Sequence, residues 1–479
     1  MMEKHKLTGK EKLSYGLGAV GKDMVYMLSA SYVLYYFQDV LGVSAVAMGI
    51  ILMAARVFDA FNDPFMGVIV AKTRTRWGKF RPWLLIGTLT NAVVLVLMFS
   101  APPALDGGGL VAYAAVSYIL WGVTYTMMDI PYWSMIPAFT EGGKEREGLT
   151  ALARSCAGVG SAIITIVTMI AVQALGRAAA GSQASAGRVE LLGFKYFSMI
   201  IAAFFVLFTI LTCVNIHEAS TADMQSASVR QMLTALLQND QTVAVVWAIV
   251  LINCSVYLTS NLVIYFFKYD FGGVSWYNGY TLFNTFGGGV QILSMMLLYP
   301  FLRKFFNTLR IFDISLLMAI IGYVSLLILS FTNMSNVFLL FIPGFFIFAA
   351  NGMLTVITTV FLANTVEYGE WKNRRRDESV IFSMQTFVVK LASGISAFIA
   401  SLSLQLFALN ADTAETGTEV DFSALVPAAS RIGLRMTMTV LPILGLIYVF
   451  IRFRHKYILT DEKVAELSEL VRQRREKEQ

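Results

Sequence analysis

The chain has 479 residues, of which 57% are hydrophobic and 14% are charged. A soluble protein carries roughly a quarter charged residues, so this composition excludes an ordinary soluble globule and indicates a chain surrounded mainly by lipid. The net charge of +6 is spread over several loops instead of forming one patch, which excludes a nucleic-acid-binding surface.

Twelve apolar segments are long enough to span a bilayer, which takes about twenty mainly apolar residues. They predict an all-α membrane protein with 12 transmembrane helices in two six-helix halves. The predicted segments are 13–37, 44–71, 83–101, 109–139, 149–176, 194–216, 242–268, 276–300, 311–332, 336–364, 379–408 and 428–452.

Lysine and arginine concentrate in the loops on one predicted side of the membrane, at 72–82, 301–310 and 369–378. The loops on the opposite side are neutral, mixed or acidic. Because basic loops stay in the cytoplasm, this pattern predicts that both termini are cytoplasmic.

The helix count also predicts four domains. They are a first bundle (1–216), a central cytoplasmic loop with an amphipathic helix (217–241), a second bundle (242–458) and a cytoplasmic tail helix (459–479).

The second predicted helix contains an unusual polar group, formed by Arg56, Asp59, Asn62 and Asp63. The last three share one helix face, and charges in a membrane are costly enough to indicate function. Two neighbouring carboxylates repel each other unless a cation lies between them, so Asp59 and Asp63 predict a site for Na⁺, Li⁺ or H⁺. The alternative is a structural ion pair between Arg56 and one of the two aspartates.

The fourth predicted helix has a stripe of Trp121, Tyr125, Asp129 and Trp133, each four residues from the last, with Thr126 beside it. Aromatic rings stack on the apolar face of a sugar and carboxylates accept hydrogen bonds from its hydroxyls, so the stripe predicts a sugar site. For Trp121 and Tyr125, packing against neighbouring helices is an equal alternative.

Other charged or polar side chains also fall within predicted helices. Lys390 is flanked by apolar residues and requires an acid or a cavity, whereas Arg154 is close enough to a helix end to reach the headgroups. The set is Lys22, Asp23, Arg154, Gln385, Thr386 and Lys390.

Several motifs resemble the glycoside–pentoside–hexuronide:cation symporter family, and the resemblance runs nearly from end to end. They include KLSYGLGAVGKD, RVFDAFNDPFMG, TRTRWGKFRPWLLIGTLTN, YILWGVTYTMMDIPYWS and ESVIFSMQTFVVK. The resemblance implies a major facilitator superfamily fold in a bacterial inner membrane. It also implies a working monomer that moves a small-molecule sugar with a monovalent cation and has no resident cofactor.

The resemblance assigns residues to two sites. Its cation site falls on Asp59, Asp63, Asn62 and Thr386, and the placement of Thr386 there comes from the resemblance alone. Its sugar site falls on Asp23, Asp129, Trp133 and Arg154, with contributions from Lys22, Trp121, Tyr125, Thr126, Gln385 and Lys390.

The chain departs from the family member that it resembles most at Thr355, where a tryptophan is expected. This change removes one wall of the expected sugar pocket. The substrate is therefore open between a galactoside or other glycoside and a hexuronide or pentoside.

Three other functions are weaker alternatives. A lysolipid or amphiphile transporter would need a largely apolar cavity, which the set of Asp129, Trp133 and Arg154 disfavours. A sugar receptor would carry an additional cytoplasmic domain. An enzyme is disfavoured because the sequence has three histidines and no nucleophile or metal motif.

Overall fold

The structure, a computed structural model, describes residues 7–139, 143–181, 184–216, 237–332, 334, 336–373, 378–409 and 420–478. These residues form two compact units, one within Met1–Gln225 together with Asn410–Asp421 and the other within Ser226–Leu409 together with Phe422–Gln479. The long helices are α1 (Gly9–Tyr35), α2 (Ala45–Lys72), α3 (Arg81–Met98), α4 (Gly107–Ser134), α5 (Gly143–Ala180), α6 (Ala186–Asn215), α7 (Asp240–Phe266), α8 (Trp276–Leu293), α9 (Thr308–Thr332), α10 (Val337–Asn373), α11 (Glu378–Leu406), α12 (Ala428–Lys456) and α13 (Asp461–Glu478).

Eleven helices in the described part of the chain are long and apolar enough to cross a membrane. The first helix, α1, has 27 residues but carries Lys22 and Asp23 in its middle, which lowers its mean hydropathy. Lys22 is almost fully buried, so its charge faces protein instead of lipid. The fold class predicted from the sequence is confirmed.

The predicted end of the tenth helix at residue 364 is wrong, because α10 continues to Asn373. Its last turns are polar and give no hydropathy signal. They find partners at the start of α7, where the carboxylate of Asp240 accepts a hydrogen bond from Tyr368 and pairs with Lys372. Hydrogen bonding to a neighbouring helix therefore extends α10 beyond its apolar segment.

The predicted start of the sixth helix at residue 194 is also wrong, because α6 begins at Ala186. Its first turns contain Glu190, which from the sequence belongs in a polar loop. The structure buries Glu190, and its carboxylate accepts hydrogen bonds from Tyr35 and Gln173.

Small residues allow close helix packing in the first unit. A Cβ atom added to Gly160 on α5 would overlap the backbone carbonyl oxygen of Val20 on α1. Helices in membranes often approach each other at such positions, since van der Waals contact between backbones stabilises their association.

We expect Gly160→Ala to destabilise the protein by about 1–3 kcal/mol, the usual cost of overpacking a filled interior. The measurement is the midpoint of thermal unfolding in detergent, which should fall by several degrees. Gly158→Ala is the matched control on the same helix, because its Cβ would enter open space. An equal fall for both variants would contradict the assignment of Gly160 to this contact.

Several predicted features stay predictions. Most of the central loop (217–236) and residues 374–377 of the basic loop lie outside the described residues, so the domain boundaries are not tested. The tail forms α13, and Thr460 accepts a hydrogen bond from the backbone N–H of Lys463 at its start.

Candidate functional site

The two acidic residues of α2 face the same side of α4. A Cβ atom added to Gly122 would lie 2.8 Å from Oδ1 of Asp59, so this carboxylate lies directly against the α4 backbone. One turn further along both helices, the hydroxyl of Thr126 donates a hydrogen bond of 3.0 Å to Oδ1 of Asp63. The two contacts advance together along the chain, so α2 and α4 run parallel here.

Arg56 and Asp59 form a buried ion pair, with Nη1 3.4 Å from Oδ2. This is the structural ion pair that the sequence offered as an alternative to a cation site. It holds Asp59 in place and offsets part of the repulsion between the two carboxylates. Nearby on α2, the side-chain amide nitrogen of Asn62 is buried without a hydrogen-bond partner among the described residues.

Lys22 is the centre of a second group, which joins α1 to α4. Its ammonium lies 2.7 Å from Oδ1 of Asp129 and 3.0 Å from Oδ1 of Asp23, and donates a hydrogen bond of 3.0 Å to the hydroxyl of Tyr125. Lys22 is 4% exposed, so the neighbouring acids supply the stabilisation that water would give on a surface.

Trp133 links this group to α5. Its indole N–H donates a hydrogen bond of 3.1 Å to Asp129, and the guanidinium of Arg154 lies 3.9 Å from the ring centroid. Asp23 also accepts a hydrogen bond of 3.4 Å from Ser161 on α5. The structure therefore places Lys22, Asp23, Asp129, Trp133 and Arg154 in one connected group.

Trp121 has a different environment from the rest of the α4 stripe. It is 1% exposed and stacks on Tyr118 and Tyr125, with ring centroids 5.8 and 5.2 Å away. This placement favours the packing alternative for Trp121. Tyr125 is half-buried and reaches Lys22 with its hydroxyl.

Thr126 was predicted to lie in the sugar set, but its side chain contacts Asp63 of the acidic pair. It is buried, and one residue earlier in α4 Tyr125 contacts Lys22. Two consecutive residues of α4 thus join the two groups.

The remaining predicted site residues belong to the second unit. The amide of Gln385 on α11 donates a hydrogen bond of 3.1 Å to Thr359 on α10. Thr386 is exposed and Lys390 is half-buried. Thr355 is exposed on α10, and its hydroxyl bonds to the backbone oxygen of Asn351 one turn earlier.

The sequence prediction did not include three residues that shape these groups: Gly122, Ser161 and Asn91. Asn91 is fully buried on α3, and its side-chain amide donates hydrogen bonds to Trp121 O and Thr124 Oγ1, both at 2.9 Å. An amide in the middle of an apolar helix is a signal for contact between helices. Gly122 and Ser161 give no signal that separates them from other small residues.

The charges of the two groups differ. Arg56, Asp59 and Asp63 together carry a net charge of −1, whereas Lys22, Asp23, Asp129 and Arg154 balance to zero. The first group offers carboxylate and hydroxyl oxygens, which suit a hard monovalent cation. The second combines a flat indole ring with charged hydrogen-bonding groups, which suits a neutral polyhydroxyl ligand.

Curated relatives cover most of the chain. The isoprimeverose transporter of Lactiplantibacillus pentosus is 27% identical over 406 residues, which cover 84% of this chain and 81% of that protein. The lactose permease of Lactobacillus delbrueckii subsp. bulgaricus is 26% identical over 472 residues, covering 95% of this chain and 71% of that protein.

Solved structures support the fold. A bacterial homolog of the human lysosomal transporter Spinster, in an inward-facing and unoccupied conformation, aligns with a TM-score of 0.65. It is 12% identical, and the alignment covers 93% of this chain and 96% of that one.

The family described as MFS/sugar transport protein matches residues 14–461. The chain therefore belongs to this family of multi-pass membrane proteins in the major facilitator superfamily.

Proposed function

We propose that this protein is a secondary active transporter that couples the movement of a monovalent cation, Na⁺, Li⁺ or H⁺, to symport of a sugar by alternating access. The supporting observation is the link through α4: Tyr125 contacts Lys22 of the sugar group while Thr126 contacts Asp63 of the acidic pair. Tyr125 and Thr126 are consecutive residues of α4, so a ligand that restrains the side chain of one also restrains the helix that carries the other.

The acidic group is the proposed cation site, formed by Asp59, Asp63 and Asn62, with Thr126 as an additional oxygen donor. Its net charge of −1 is neutralised by one monovalent ion. Among the described residues, no group of three or more His, Cys, Asp or Glu side chains could hold a metal ion. A monovalent cation does not require one, because hydroxyl and amide oxygens complete its coordination.

The Lys22 group is the proposed sugar site. Its balanced charges favour a neutral glycoside over an anionic hexuronide. We propose a galactoside or other glycoside, and a pentoside, which is also neutral, is the alternative. The motifs resemble the bacterial melibiose permease, but the exposed Thr355 stands where that permease has tryptophan. The lysolipid alternative is less well supported, because the buried ammonium of Lys22 and its partners Asp23 and Asp129 would be costly to expose to an acyl chain.

The proposed setting is the inner membrane of a bacterium, with both termini in the cytoplasm and a monomer as the working unit. The basic loops support this orientation.

The proposal is tested by measuring the binding of α- and β-galactosides, glucosides and hexuronides to the purified protein by calorimetry, with and without Na⁺ and at acid pH. A glycoside that binds several-fold more tightly with the cation is the expected result, since linkage makes the coupling reciprocal. The absence of binding by every sugar under every condition would overturn the sugar assignment and favour an amphiphile.

Gly122→Ala should weaken cation binding by about tenfold, because the new methyl group displaces the Asp59 carboxylate that lies 2.8 Å away. The effect is measured by determining sugar affinity at increasing Na⁺ concentrations. Sugar affinity without the cation should change little. Gly108→Ala is the control on the same helix, since its Cβ meets no atom within 4 Å. Unchanged cation affinity in Gly122→Ala would contradict the placement of Asp59 in the cation site.

A further inference from the structure

A groove of about 720 Å³ lies between α7 and α12 in the second unit, where α7 begins and α12 ends. Ala244, Ala248 and Leu251 contribute to its apolar wall. Trp247 and Tyr448 flank it and are 61% and 54% exposed. Such rings are enriched where a membrane meets water, since one end of each is apolar and the other polar.

The rim of the groove is basic. Arg452 and Lys456 lie one turn apart on α12, both exposed. Among the described residues of the lining, the one carboxylate is that of Asp240, and it is already bound by Lys372 and by the hydroxyl of Tyr368. Its charge is therefore offset, and the rim attracts an anion.

The end of the groove is held together by Gln241. Its amide nitrogen donates a hydrogen bond of 3.3 Å to the backbone oxygen of Lys456, and its amide oxygen accepts one of 2.9 Å from the backbone N–H of Ile458. These bonds fix the end of α12 against the start of α7. The basic rim is thus positioned beside the apolar wall by hydrogen bonds within the protein.

We propose that this groove binds an anionic phospholipid of the inner leaflet. The phosphate lies at Arg452 and Lys456, and an acyl chain follows the apolar wall past Ala244 and Ala248. Charge complementarity selects the ligand, because basic pockets between helices at the cytoplasmic side bind anionic headgroups. A zwitterionic lipid gains less from Arg452 and Lys456, whose side chains form no ion pair among the described residues. The site is independent of the transported substrate.

Native mass spectrometry of the purified full-length protein with phosphatidylglycerol and phosphatidylcholine tests the proposal. We expect the wild type to retain phosphatidylglycerol in preference. Arg452→Gln with Lys456→Gln should reduce that retention by about 25-fold, since each basic residue near an anionic surface contributes about a factor of five. Phosphatidylcholine retention should be unchanged.

The matched control is Lys304→Gln with Arg310→Gln, which removes the same charge from two other exposed positions of the same unit, the turn at Lys304 and the first turn of α9. Equal losses in the two double variants, or no preference in the wild type, would overturn the proposal.

A photo-crosslinker placed at Trp247 in phosphatidylglycerol nanodiscs adds a second measurement. Lipid adducts are expected, whereas crosslinks to residues 217–236 of the same chain would show that the chain covers the groove itself and would also overturn it.

Discussion

Lys22→Gln should lower sugar affinity by about 100-fold or more. The ammonium of Lys22 pairs with Asp129 at 2.7 Å and Asp23 at 3.0 Å, so its loss leaves two carboxylates without their cation. Removing one partner of a buried ion pair costs about 3–5 kcal/mol, and each 1.4 kcal/mol corresponds to a factor of ten. The two repelling acids then separate, and the orientation of Trp133 through Asp129 is lost with them.

The binding of the preferred sugar, measured by calorimetry on the folded variant, checks this expectation. Lys22→Arg keeps the charge but not the compact ammonium, and it should recover only part of the affinity. Lys195→Gln is the matched control in the same unit, because this half-buried lysine has no ion pair with the described residues. Retained sugar affinity in Lys22→Gln would refute the role of Lys22 at the sugar site.

A loss of folding is a separate outcome that has to be measured. The cation binding that we propose for Asp59 and Asp63 provides that readout, because these residues form a different group of the same unit. A Lys22→Gln protein that still binds the cation but not the sugar shows that the fold survives and the sugar site does not.

The helices could be predicted well from the sequence because lipid imposes a strong rule: each span needs about twenty apolar residues. The errors occur where polar side chains have protein partners. Glu190 lies in a helix because Tyr35 and Gln173 donate to it, and α10 is extended by Tyr368 and Lys372. Hydropathy contains no information on such pairings.

The candidate site was predictable for a related reason. Asp59, Asp63 and Asp129 stand out as costly charges within apolar helices. Spacing on one helix shows which residues share a face, but not which helix that face meets. Lys22 could therefore be chosen as a candidate, whereas its pairing with Asp129, and that of Thr126 with Asp63, needed the packing of α1, α2 and α4.

Asp59→Asn should abolish cation coupling while leaving sugar binding in the absence of the cation largely intact. The substitution removes one of the two carboxylates and brings the net charge of the Arg56, Asp59 and Asp63 group from −1 to zero, so the electrostatic attraction for a cation is lost. The ratio of sugar affinities with and without Na⁺ or Li⁺, expected in the range of about 5–150 for a coupled pair of sites, should fall to one.

The control for this variant is Asp313→Asn, which makes the same chemical change at an aspartate in the second unit that lies 3.8 Å from Arg454. It should keep the cation effect. Sodium-stimulated sugar binding that persists in Asp59→Asn would show that the ion binds elsewhere and that the Arg56–Asp59 pair is structural. If both the cation stimulation and the sugar affinity without the cation disappear, Asp59 supports the sugar group directly. In that case the effect of Asp59 on sugar binding does not pass through Tyr125 and Thr126 on α4.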